Sequence, residues 1–247
     1  MAGVTLNIVI GLLTSALSGS AVWLWERGRS IRFSRGRSRF FGTRPGDTCI
    51  IVMNNQWDRP GATSHHDVQA MIEVAVLIRE MSCAVSVKSS DQFHEGNDGC
   101  VEFCVGGPEH GSNVRTAGHL ARNLPGVAIR PFSETSDSLA IAVDGESFPW
   151  ARGIQEHVLV AKFFPPAASK PVILICGQSA LSNHAAVAFL RNSHRRLTRV
   201  LESTDRFCVV LRVESIPTYG FHGTVLARDV TDAAFAHEPG VRVAPHA

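Results

Sequence analysis

The sequence is short of several things, and each shortage excludes something. No charged side chain occurs between Val4 and Trp25, a run of 22 residues. Such a run has no charged face to turn to water, so it is not an amphipathic surface helix. No CxxC pair links any of the six cysteines, Cys49, Cys83, Cys100, Cys104, Cys176 and Cys208. Their spacing is not that of a secreted disulfide scaffold or a zinc module. They sit in or beside apolar runs and read as reduced core residues of a cytosolic domain. Neither GxGxxG nor GxxxxGK[ST] occurs, and neither GxSxG nor HExxH, so no standard phosphate loop or catalytic signature is present. No short repeat of fixed period runs through the chain. Lysine is scarce, at positions 88, 162 and 170 only.

The uncharged run is long enough to cross a bilayer core as one helix. Trp23 and Trp25 close it, where indoles favour the interface. Arginines at 27, 29, 32, 35, 37, 39 and 44 follow, with no acid among them. A signal peptide would carry its positive charge before the apolar run, not after it. The positive-inside rule therefore puts the N-terminus outside and the rest in the cytoplasm of a single-pass membrane protein. The arginines suit anionic headgroups. Gly11, Ser15 and Gly19 follow a small-xxx-small spacing, and Asn7 is polar, which favours helix association and a homo-oligomer. The expected organisation is a transmembrane helix at 1–26, an Arg-rich juxtamembrane linker at 27–45, a cytoplasmic ligand-binding domain at 46–232 and a flexible tail at 233–247.

The charge is divided unevenly. Residues 45–247 hold 17 of the 24 basic residues and 21 of the 22 acids, because Glu26 precedes the arm. The folded part is thus mildly acidic, which argues against nucleic acid as a partner. In that part, strand-like and helix-like segments alternate. Strands are expected at 49–53, 83–87, 101–105, 127–130 and 172–176, those at 49–53, 101–105 and 172–176 buried, and 207–213 closes the pattern at the sheet edge. A hairpin through Asp144-Gly145 is expected to join 139–143 to 157–164, with a sheet edge at 224–227. Helices are expected from the Ser64 cap to Met81, from 113 to 123, and from a Ser182 cap to about Leu201. The alternation predicts an α/β class: a mainly parallel, Rossmann-like sheet in three layers.

Two loops stand out at the ends of predicted strands. The first holds Gly106, Gly107, Ser112 and Asn113, followed by Arg115 and Thr116 in the next helix. The second holds Gly177, Gln178, Ser179, Ser182 and Asn183. Glycine permits close backbone approach, and a helix N-terminus stabilises an anion. Open α/β sheets bind ligands at the carboxyl ends of their strands. A third edge follows the first strand, where Asn54 supplies an amide and Trp57 a ring to stack on a base. These thirteen residues are the candidate binding site for a small anionic, nucleotide-type ligand. No metal site or cofactor is expected, since adjacent His65 and His66 diverge on a helix. Asp67, Glu73, Glu102, Glu109, His110, Asp144 and His184 are the only acid–base candidates, and no catalytic set emerges from them.

The polar-tinged span, the arginine junction and the two strand–loop–helix stretches at 101–123 and 172–201 resemble, at the level of architecture, bacterial membrane-anchored effectors. In those effectors a cytosolic Rossmann-like domain senses a nucleotide signal in antiphage defence. The resemblance implies ligand-induced association that alters the membrane. Two alternatives remain: an enzyme on a nucleoside or nucleotide-sugar with Glu102, Glu109 or Asp67 as its acid, and a scaffold that localises a protein partner.

Overall fold

The computed structural model describes residues 33–55, 62–93, 96–97, 99–166 and 168–236. The expected span, the first arginines and Trp57 lie outside the described residues. Among those described, no helix is long and apolar enough to cross a membrane.

The chain is mixed α/β. Its strands are β1 (Thr48–Met53), β2 (Ala84–Ser89), β3 (Val101–Val105), β4 (Val127–Ile129), β5 (Ile141–Val143), β6 (Glu146–Phe148), β7 (Glu156–Phe163), β8 (Val172–Gly177), β9 (Phe207–Val213) and β10 (Thr224–Asp229). The helices are α1 (33–41), α2 (His65–Glu80), α3 (Val114–Asn123), α4 (Ala180–Val200), α5 (Ile216–Tyr219) and α6 (Thr231–Phe235). Seven strands form the central sheet in the order β10-β9-β7-β8-β3-β1-β2, while β4, β5 and β6 form a small antiparallel sheet.

Direction in the large sheet is mostly uniform. β2, β1, β3 and β8 are parallel neighbours. β7 runs antiparallel to both β8 and β9, and β10 antiparallel to β9. Five of the seven strands therefore point one way, although half of the pairings are antiparallel. The inserted β7 corrects the expected hairpin. Asp144-Gly145 does make a turn, but it joins β5 to β6, with Val143 opposite Glu146. β7 lies between β8 and β9 instead, because all eight of its residues are buried, which a two-strand hairpin cannot provide.

Alternation along the strands builds two cores. Cys49, Ile51 and Met53 of β1 face Ala70, Leu77 and Ile78 of α2, Ala186 and Leu190 of α4, and Phe40 and Phe41 of α1. Ile50 and Val52 face Leu120 of α3, Ile141 and Phe148 of the small sheet, and Ala234 of α6. The result is three layers around the sheet. Two expected boundaries move. The stretch assigned to a linker is helical from residue 33, and its Phe40 and Phe41 are buried. At the other end, α6 carries the packed structure past residue 232.

The caps match the helices they start. Ser64 Oγ accepts from the Asp67 amide at 3.2 Å. Asn113 Oδ1 accepts from the Thr116 amide at 3.0 Å. α4 is capped by Ser179, not Ser182. The two serines form a capping box in which Ser182 is the third helical residue.

Candidate functional site

The carboxyl ends of β1, β3 and β8 meet the N-terminus of α4 around a small cleft of about 100 Å³. Both glycine loops reach it. A Cβ on Gly107 would come within 3.2 Å of the Gly177 carbonyl oxygen, so the two loops touch backbone to backbone. Gly106 has φ +126°, and a Cβ there would stand 2.7 Å from Asn54. Only glycine fits that position. Gly177 is equally confined: a Cβ would fall 2.6 Å from Ser182 Oγ and 2.7 Å from Asn183 Oδ1.

Of the expected site residues, Asn54, Gly107, Ser112, Gly177, Gln178, Ser179 and Asn183 line the cleft. Gly106, Asn113, Arg115, Thr116 and Ser182 do not. The reason is visible in their hydrogen bonds. Asn113 Nδ2 donates to the Val105 carbonyl at 3.0 Å, and Thr116 Oγ1 to the Gly106 carbonyl at 2.8 Å. These residues tie α3 to the end of β3. Arg115 is held by Glu102 through Nε at 2.9 Å and Nη2 at 2.7 Å.

Even the lining residues are partly occupied. Gln178 Oε1 accepts from the His157 amide at 2.6 Å, and its Nε2 donates to the carbonyls of Leu139 and Phe148 at 3.1 and 2.9 Å. It fastens the small sheet to β7 and β8. Asn183 Oδ1 accepts from the Gly177 amide at 2.8 Å, while its Nδ2 donates to Asp67 Oδ1 at 3.2 Å. Asp67 also accepts from Ser64 Oγ at 2.9 Å and from the Asn54 side chain. Burial pushes its carboxyl above the ordinary value, against those hydrogen bonds. With Asn54 turned towards Asp67, its Oδ1 is buried without a partner among the described residues.

Other lining residues are not among the expected ligand contacts, although Glu109 is an acid–base candidate. Ile129, Leu139 and Ile141 supply an apolar wall from the small sheet. Glu109 is the one carboxylate in the lining among the described residues, and its Oε1 accepts from the Phe132 amide at 2.9 Å. Phe132 is 53% exposed and meets Trp150 edge to face at 6.3 Å between centroids. An aromatic pair thus stands beside the cleft, in a turn-rich stretch where no periodicity marks it. Among the described residues, no lysine, arginine or histidine lines the cleft. Charge compensation for an anion must come from backbone N–H groups. The α4 capping box uses the Ser182 amide, and the helix ladder starts with Asn183 N–H on the Ser179 carbonyl at 3.1 Å. The Ala180 and Leu181 amides are the first-turn donors that remain.

Glu102 is fully buried in β3 but belongs elsewhere. Arg115 and His119 surround it, with His119 Nε2 at 2.9 Å. Burial opposes its ionisation, yet the Arg115 and His119 hydrogen bonds hold its carboxyl below the ordinary value. His184 Nε2 lies 3.3 Å from Glu73 Oε1, one helix turn behind the cleft. Among the described residues, no group of three or more His, Cys, Asp or Glu is placed to hold a metal.

Fold and cleft together define a class: a three-layer α/β protein with a small cleft at the carboxyl ends of its parallel strands. Comparison of the chain with protein-family models, curated proteins and solved structures finds no match.

Proposed function

We propose that the protein is a membrane-anchored sensor whose α/β domain binds a small nucleotide-type ligand and passes that event to the N-terminal span. The observation that carries the reading is the meeting of both glycine loops at one cleft, beside a helix N-terminus. The lining refines the ligand. Apolar Ile129, Leu139 and Ile141 suit the flat face of a base, and Glu109 suits donor groups on its edge. A phosphate would take the Ala180 and Leu181 amides. With no side-chain cation in the lining among the described residues, a ligand with one phosphate per site is the one that the Ala180 and Leu181 amides suit. Ligand-driven self-association would then rearrange the spans, provided that the ligand binds the associated state more tightly. Antiphage defence is the setting that the architectural resemblance implies, and the inner membrane face the expected location.

The test is a thermal-shift and calorimetry panel on the full chain, with nucleosides, nucleoside monophosphates, cyclic nucleotides and triphosphates. Stabilisation by a monophosphate or cyclic nucleotide is the expected outcome. Stabilisation by none of them would remove the sensor reading. An enzymatic reading draws on Glu109 as the single carboxylate of the cleft among the described residues; turnover of a nucleoside or nucleotide-sugar, lost in Glu109→Gln while binding persists, would replace the sensor with it.

A further inference from the structure

We propose that the exposed arginines of α1 and of the C-terminal half of α4 form one docking surface for anionic lipid headgroups, which holds the domain against the bilayer with its cleft turned away. The tether in this inference rests on the membrane-anchor reading; the charged surface stands independently of it.

Contacts place the two helices together. Phe33 of α1 meets the ring of His194 at 5.6 Å between centroids, and the Arg195 guanidinium lies 4.6 Å from the Phe33 ring centre. Arg37 Nη2 donates to the Arg191 carbonyl at 3.2 Å. Glu80, at the end of α2, is the acid in this contact, and it is already paired with both Arg37 and Arg191. Arg35 and Arg39 on α1, and Arg195, Arg196 and Arg199 on α4, remain exposed. The next acids along the chain, Glu202 and Asp205, line a separate hollow with Asp144, Arg206 and Arg228. One end of an otherwise acidic domain is therefore strongly positive.

Chain connectivity names the partner. Only residues 26–32 separate the uncharged run ending at Trp25 from Phe33 of α1. Extended chain spans at most about 3.5 Å per residue, so α1 must lie within about 30 Å of the end of that run. Three further arginines, at 27, 29 and 32, fall in the interval. Each arginine near an anionic leaflet strengthens attachment about five-fold. The geometry also fixes the other end. α4 runs some 21 residues, about 30 Å at 1.5 Å per residue, from the cleft at Ser179 to the arginines at its far end. A domain docked by the arginine end presents its cleft to the aqueous side.

The experiment places the full chain in nanodiscs of phosphatidylcholine alone and of phosphatidylcholine with phosphatidylserine, and follows amide exchange in residues 191–200. Slower exchange in the anionic discs, abolished by R195E/R196E/R199E and by high salt, is expected. These three side chains are exposed, and unchanged circular dichroism of the variant separates lost docking from lost folding. Equal exchange in both kinds of disc would overturn the surface while leaving the anchor standing. If the chain enters neither disc, the anchor reading fails instead. Sedimentation of that free chain with phosphatidylserine vesicles, sensitive to the triple variant, would then keep the surface, and no sedimentation would overturn it. Equal protection by single-stranded RNA in neutral discs would overturn it in favour of nucleic acid.

Discussion

At the scale of single residues, the molecule spends most of its polar side chains on itself. Glu102 is the plainest case. A carboxylate in a fully buried strand needs partners, and Arg115 and His119 supply them. Glu102→Gln leaves a half-buried guanidinium facing a neutral amide and should cost about 3 kcal/mol, read as a lower urea midpoint with no change in ligand binding. The same substitution tests the acid branch. Glu102 sits below its ordinary value in the folded state, so its contribution is present above the unfolded carboxylate value and lost as pH falls towards the folded one. The variant should therefore lose less stability on acidification than the parent. The ligand side of the site is tested by Ala180→Pro. Proline suits the first helical position and removes only the N–H there. A monophosphate should bind roughly ten-fold more weakly, the loss of one charge-assisted hydrogen bond, while the melting temperature stays near that of the parent. Unchanged affinity would take the phosphate away from α4. Gly106 and Gly177 were legible in the sequence because a glycine straight after an apolar strand has few other uses. Gln178 was legible as a position but not as a role, since nothing local says that its amide faces three backbone groups from distant strands.

At the scale of elements, strands and helices with their own periodicity and caps were readable, and those that depend on distant partners were not. The CIIVM run of β1 and the Ser64 start of α2 fall where the pattern puts them, because alternation and capping are local. The pairing of β5 was not readable. Asp144-Gly145 announces a turn, but which strand returns from it is decided by burial across the molecule. β7 holds Glu156, His157 and Lys162 and still lies fully inside. Burial lowers the Lys162 ammonium to about 8, and its Nζ donates to the Phe40 and Thr204 carbonyls at 2.7 Å each. No pattern in the sequence foretells that arrangement. The small sheet depends on a similar long-range contact. Gln178→Leu keeps the bulk but strands the His157 amide and the Leu139 and Phe148 carbonyls, and at the low end of about 1 kcal/mol for each unsatisfied buried group the three together cost about 3 kcal/mol. Faster amide exchange at residues 139–148, with exchange in β1 and β3 unchanged, is the expected signature. Uniformly faster exchange would show that the small sheet is not a separable unit.

At the scale of the whole molecule, protonation links the packed histidines to stability. Three of them, His157, His184 and His194, are buried and held below the usual 6.5, with desolvation the largest cause in each. Neighbouring arginines act in the same direction, Arg212 on His157 and Arg37 and Arg195 on His194. Glu73 opposes the shift at His184, without reversing it. A histidine depressed in the fold takes its proton later than the unfolded chain does. As pH falls below 6.5 the unfolded state therefore binds more protons, and stability declines until the depressed values are reached. Asp67 has the opposite sign, because its carboxyl is raised, and its window runs upward from the ordinary carboxylate value, whereas those of Glu80 and Asp47, both lowered, run downward from theirs. Three histidines against one carboxyl make decline the expected direction between about pH 7 and about pH 5. His194 is packed between Phe33 and Phe40, where α1 meets α4, so its protonation should loosen α1 first. The full chain should show a lower urea midpoint at about pH 5.5 than at about pH 7.5, with a smaller difference in His194→Gln. A midpoint that rises on acidification over that interval would mean that these rings are charged in the fold, and that α1 is packed on α4 less tightly than the contacts of Phe33 and Phe40 require.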